Sequence, residues 1–272
     1  MVNTTDKTEV KNAVTRVIEG TGDTVEETID VTKGATVKAL RSVGNVGEAT
    51  TKAGAGILTS AIEAADDVGS GLGNVVKGAI IGTIQGTAEI TSVTITSLAG
   101  VVRSAISGTT SVAKDIGTVA TETAHGAIVA TKGITLSLQD AAFGVAHGLI
   151  VGTKNVGADV GLTAKSAMRG SIAGANEIGG DVIQAANSTA RGLIKGTSEI
   201  GGDVAKVAVS AVEGAIEAAK SVGVKAEDAA SATASGAVEA AGEISEATVN
   251  TVRDAVTTTI GGVKVIVKAP FK

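Results

Sequence analysis

Two histidines, His125 and His147, are the only side chains in this sequence whose ordinary pKa lies near neutrality, and there is no Cys or Tyr to serve as nucleophile or phenolic acid. Catalysis needs such a group held in place by partners. Both histidines fall in the sequence column that elsewhere carries Arg103, Arg169 and Arg191, so they read as members of a basic stripe on a polar face. No zinc-ligand spacing, EF-hand loop or phosphate-cradling glycine motif appears. The sequence therefore predicts no enzyme, no catalytic residue, no metal site and no cofactor, with lipid as the one bound small molecule to expect.

What holds these residues is an unusual composition. Among 272 residues there are Gly 37, Phe 2, Pro 1 and no Trp, leaving almost nothing bulky to fill a globular core. Yet the hydrophobic fraction is 43%, charged residues make up 19%, and the mean hydropathy of +0.33 is too high for a chain that stays disordered in water. A net charge of −5 and the lack of spaced aromatics exclude a nucleic-acid footprint. The opening Met1-Val2-Asn3-Thr4-Thr5-Asp6 has neither a basic nor an apolar leader segment, so no signal peptide is expected, leaving a cytoplasmic or membrane-associated location.

The organising feature is a repeat. Every 22 residues a β-branched aliphatic recurs: Val46, Val68, Ile90, Val112, Ile134, Val156, Ile178, Ile200, Val222, Ile244 and Ile266. A second column holds Ile62, Ile84, Ile106, Ile128, Ile150, Ile172, Ile194, Ile216, Val238 and Ile260. Each unit divides into two elevens with apolar spacings of four, four and three, which is about 3.67 residues per turn and predicts a right-handed supercoil. A β-solenoid rung of the same length is the rival, but stretches such as Ala215-Ile216-Glu217-Ala218-Ala219-Lys220 lack strand alternation and favour helix.

The expected fold is therefore all-α: one very long helix in a parallel, right-handed, multi-stranded coiled coil or α-helical barrel. Residues 1–11 would form an N-terminal cap segment, with a capping box at Asp6-Lys7-Thr8-Glu9. Residues 12–262 would form the repeat helix, and 263–272 a tail containing the only proline, Pro270. A continuous helix over 6–262 would be roughly 390 Å long. A hairpin near Gly69-Ser70-Gly71-Leu72-Gly73 is the alternative that would keep the register.

Around that helix the apolar positions cover about half the circumference, too wide for a two-stranded seam and suited to a large apolar volume or to lipid. The polar arc has a basic edge (Lys77, Lys132, Lys154, Lys165 and Lys220, with Arg103, Arg169 and Arg191) and an acidic edge (Glu89, Glu177 and Glu199, with Asp115, Asp159, Asp181 and Asp203). Parallel helices set side by side would join the two edges; a solvated face with pairs inside each helix is the plainer reading. Glycines also recur in column, at Gly82, Gly126, Gly148, Gly170, Gly192, Gly214 and Gly236, with Gly or Ala four residues later. This small-xxx-small spacing lets helix backbones approach closely. Because each glycine costs up to ~1 kcal/mol in a helix relative to Ala, an isolated helix would be weak and folding coupled to association.

Charge is sparse in the middle: residues 78–153 hold 3 basic and 4 acidic residues, against 8 and 11 in 1–77 and 12 and 13 in 154–272. That depleted zone is several times longer than a ~30 Å hydrocarbon core if helical. Thr87, Thr109, Thr131, Thr153 and Thr197 raise an ice-binding face, though Thr lacks strict 11-residue recurrence.

The uninterrupted 11-residue register over about 12–266 resembles the hendecad coiled-coil proteins of bacteria and archaea. More loosely it is similar to the lipid-binding 11-mers of synucleins, perilipins and late-embryogenesis-abundant proteins, which carry more Lys and Glu. The resemblance implies a long, oligomeric chain, membrane-associated in some members; with the wide apolar arc and the split charged edges, the expectation is a self-assembling structural protein, a parallel many-stranded homo-oligomer forming a tube, barrel or fibre with lipid in an apolar lumen. The alternative it implies is a peripheral coat on a membrane or lipid surface.

Overall fold

The computed structural model describes residues 4–20, 22–42, 46–69, 71–108 and 115–267. The chain is all-helical, as the periodicity requires, but the single long helix is not what forms. Among the described residues there are twelve helices: α1 Thr4–Glu19, α2 Thr24–Arg41, α3 Val46–Val68, α4 Leu72–Ala88, α5 Ile95–Gly108, α6 Ile116–Ala130, α7 Leu138–Val156, α8 Val160–Glu177, α9 Val182–Glu199, α10 Val204–Val222, α11 Ala226–Gly242 and α12 Glu246–Val256. A small antiparallel hairpin, β1 Thr259–Ile260 with β2 Val263–Lys264, follows them. The expected 12–262 helix is thus cut about once per 22-residue unit. Asp6 lies inside the first turn of α1 rather than ahead of it, and Pro270 lies outside the described residues.

The cuts are written as a four-residue phrase. Val156-Gly157-Ala158-Asp159, Ile178-Gly179-Gly180-Asp181 and Ile200-Gly201-Gly202-Asp203 each end one helix and begin the next. The first glycine of each adopts the left-handed conformation, with φ of 67°, 69° and 68°, which a β-carbon would oppose. Backbone bonds then close the helix end, Gly180 N donating to the Ala175 carbonyl at 2.8 Å and Gly179 N to that of Asn176 at 3.1 Å. Two residues after that glycine the aspartate turns its carboxylate onto the next helix: Asp181 accepts from Ile183 N and Gln184 N at 2.9 and 3.0 Å. A stop and a start thus fit within four residues without disturbing the 22-residue register.

Consecutive helices double back on each other. Thr153 Oγ1 donates to Thr163 Oγ1 at 3.0 Å across the α7–α8 turn, and Gly54 of α3 faces Thr83 of α4. Alternate helices lie side by side and run parallel: successive glycines of α4, Gly78 and Gly86, meet successive segments of α2, Val25–Thr28 and Lys33–Thr36. The result is two layers, the odd-numbered helices in one and the even-numbered in the other, advancing one helix per layer every 44 residues.

The apolar core lies between the layers. Ile84, Ile106, Ile128, Ile150, Ile172, Ile194 and Ile216 are all at most 2% exposed and belong to one continuous cluster with many alanines. The other column serves the turns. Val68, Val156 and Val222 are last helical residues, Ile178 and Ile200 cap helix ends, and Ile134 and Ile244 lie in the connections. Ile134, Val156, Ile178, Ile200, Val222 and Ile244 are half-buried against the main core, and Ile90 packs on a smaller cluster of Ala39, Leu40 and Ala53. Val112 and the side chain of Val46 lie outside the described residues.

Folding back answers the difficulty posed by the wide apolar arc. The faces that would need several other chains find their partners within one chain, at an effective concentration that separate copies do not reach. Thr87, Thr131, Thr153 and Thr197 are buried, and each donates its hydroxyl to a backbone carbonyl three or four residues earlier, so they form no ice-binding face; Thr109 lies outside the described residues.

Candidate functional site

The recurrent glycines sit where parallel helices of one layer touch. A β-carbon at Gly148 would come 2.5 Å from the Ala99 carbonyl oxygen, and one at Gly126 2.8 Å from that of Lys77. At Gly82, Gly170, Gly192, Gly214 and Gly236 it would meet Thr32 and the carbonyls of Thr121, Phe143, Lys165 and Asn187. The obstacle is mostly backbone, so these positions fix how closely the helices approach.

The expected acidic edge divides into two groups. Asp115, Asp159, Asp181 and Asp203 are helix N-caps rather than flank charges of a continuous helix. Asp115 is held below the usual carboxylate range by the Thr118 hydroxyl, and Asp159 by the Leu162 amide and then by Lys206. The glutamates instead join basic residues across the layer. His125 Nε2 lies 2.6 Å from Glu177, His147 Nε2 2.7 Å from Glu199, and Arg191 donates to Glu243 at 3.0 Å. In each case the acid follows the base by 52 residues: 44 bring the chain to the next helix of the layer, and 8 more carry about two turns along it. Lys165 meets Glu217 at the same spacing, 2.6 Å away, which raises its pKa.

One carboxylate serves two cations. Glu177 accepts from Lys77 at 2.7 Å as well as facing His125, so α4, α6 and α8 are laced together. Burial alone would push the Glu177 carboxyl up, but Lys77 and His125 outweigh it and hold it below the usual range.

The ladder has gaps. Arg169 on α8 has Ser221 at the acid's position, and Arg103 on α5 has Asn155; the Nε of Arg103, like that of Arg191, is buried without a hydrogen-bond partner. Arg103 borders a groove of about 300 Å³ on the outer face of the odd layer, lined by Ile95, Thr96, Ala99, Phe143, His147, Lys195 and Glu199. Phe143 stacks on His147 with ring centroids 6.3 Å apart and planes 11° from parallel. Arg169 is exposed on α8 and does not line this groove.

A second groove of about 300 Å³ lies at the N-terminal end, between α1, α2 and α3, lined by Val10, Ala13, Val31, Gly34, Ala35 and Ile57, with Glu9 and Lys38 at its rim. Glu9 and Lys38 pair at 3.1 Å. Gly34 is exposed, and nothing lies within 4 Å of where its β-carbon would be. Gly78, its counterpart 44 residues on, is pressed against α2, with Val25 O at 2.7 Å and Thr28 Cβ at 2.9 Å. The opposite end is closed: α12 packs on α10 and α11, the hairpin follows, and Ile266 N donates to Ser231 Oγ of α11 at 3.4 Å.

Among the described residues no cluster of His, Asp or Glu is arranged to hold a metal ion, and no helix is long and apolar enough to cross a membrane. No family model matches the sequence, and no curated protein matches it either. Sequence reasoning placed His125, His147 and the arginines on one stripe but missed the 52-residue pairing and the groove. The available signal was Phe143, the only Phe within the repeats, at a position that carries Ala99, Thr121, Lys165 and Asn187 in neighbouring units.

Proposed function

We propose that this chain is a non-enzymatic structural scaffold, a rigid two-layer stack of helical repeats that pairs with a second copy of itself through its N-terminal end. The observation that carries the reading is the contrast between Gly34 and Gly78. The same repeat position is packed against a parallel helix in α4 and left open in α2, beside an apolar groove. A repeat stack needs polar caps at both ends to remain single; among the described residues the Gly34 flank of α2 is open, whereas the α12 end is covered by α12 and the hairpin. Because that end is covered, joining open end to open end gives a closed pair rather than an endless fibre.

Lipid enters this reading weakly. The apolar columns are occupied by one another between the layers, and among the described residues the exposed large hydrophobics are Leu162 at 46% and Ile266 at 60%. A lipid-surface coat would need a broader apolar face than these supply.

Sedimentation equilibrium tests the proposal. The wild-type chain is expected as a concentration-dependent dimer, and Gly34→Glu, which sets a charge on the open edge without touching the core, as a folded monomer. A wild-type monomer at every concentration, or a Gly34→Glu dimer of unchanged strength, would contradict it.

A further inference from the structure

We propose that the groove bounded by Arg103, Phe143, His147 and Lys195 is a binding site for a small amphipathic carboxylate, an acid with a short apolar body, taken from solution. Three independent features lead there. The first is charge. Elsewhere in the odd layer the bases of this stripe are answered from the same chain, His147 by Glu199 and Arg191 by Glu243, whereas Arg103 finds Asn155 at the acid's position; the Nε of Arg103, like that of Arg191, is buried without a hydrogen-bond partner. Lys195 lines the same groove. Glu199 faces His147 there, so the groove presents two cationic side chains and one carboxylate on a chain of net charge −5. A guanidinium with a free edge is suited to a carboxylate, which it engages through paired N–H donors.

The second feature is the wall opposite those cations. Ile95, Ala99 and Phe143 give the groove an apolar side, and a cavity of about 300 Å³ lies at the lower end of the range that small ligands occupy. The third is Phe143 itself, the only Phe within the repeats, at a position that carries Ala99, Thr121, Lys165 and Asn187 in neighbouring units. It fills no part of the inter-layer core and stacks, half-buried, on His147.

The two histidines provide the readout, because His125 lies on the other layer and serves as an internal control. Octanoate titrated into the full chain should shift the His147 imidazole NMR signals saturably and leave those of His125 in place. Arg103→Gln should weaken that binding at least about tenfold, as expected for loss of one charge-assisted contact, and Phe143→Ala should weaken it too. Arg169→Gln, a surface change outside the groove, should leave it unchanged. Octanol, the same body without charge, should fail to saturate the site. Equal shifts at both histidines, no saturable shift with octanoate, or equal binding of octanol would overturn the proposal. Binding to phosphatidylglycerol vesicles without binding to octanoate would overturn it as well, by assigning the groove to a lipid surface.

Discussion

Gly34 and Gly214 hold the same residue type in the same kind of helix, and they live in opposite surroundings. A β-carbon at Gly214 would run into the Lys165 carbonyl of the neighbouring parallel helix, whereas one at Gly34 would meet nothing. In the interior of the stack glycine is a spacing device, and the conformational freedom it costs is offset by close helix contact. At the N-terminal edge the same residue leaves an open flank. A repeat protein therefore cannot be read one unit at a time, because a position's meaning depends on whether another unit stands beside it.

The largest effect should come from closing an interior contact. Gly214→Val is expected to destabilise the fold by at least about 3 kcal/mol, since the obstacle is backbone and neither helix can yield locally; urea denaturation followed by circular dichroism would measure it. A loss below about 1 kcal/mol would mean the helices are not packed this closely. Removing a stop-start signal should cost less. Asp181→Ala deprives Ile183 and Gln184 of their acceptor and is expected to cost about 1 kcal/mol in the same assay.

A smaller effect belongs to the charge ladder. The Glu177 carboxyl titrates below its unfolded range, so its contribution is present above the unfolded pKa and fades as the pH falls through the lower folded value. Glu177→Gln should flatten the acid side of a stability-against-pH curve, modestly because the side chain is nearly half exposed. Smallest of all, Gly34→Ala should leave the fold intact and stabilise it by up to ~1 kcal/mol through helix propensity alone. If Gly34→Ala were instead as damaging as Gly214→Val, the contrast between edge and interior would fail.

The helical class, the apolar columns and the close-packing glycines were all legible, because each follows from spacing along one helix. Of the breaks, only the one near Gly69 and Gly71, where α3 gives way to α4, was legible, as an alternative to the continuous helix; the others were not, although their residues were in view. Gly157, Gly179 and Gly201 recur with the aspartates two positions later, and a helix-ending glycine followed by an N-cap aspartate is a stop followed by a start. The uninterrupted 22-residue register hid this, since a four-residue turn between 18-residue helices preserves the period as faithfully as a continuous helix does. The side-by-side pairing of opposite charges was legible as chemistry but not as connectivity. Periodicity shows that parallel helices meet, and it cannot show that they belong to one chain. Phe143 was visible as the only Phe within the repeats, but the unanswered Arg103 stands out only once the 52-residue rule is known, and that rule is a product of the fold.

Small-angle X-ray scattering of the dilute chain tests the folded-back stack most directly. The account predicts a compact particle with a radius of gyration on the order of 20 Å per chain, enlarged at higher concentration as pairs form. Scattering from a rod approaching ~400 Å in length, the span of one unbroken helix, would contradict it.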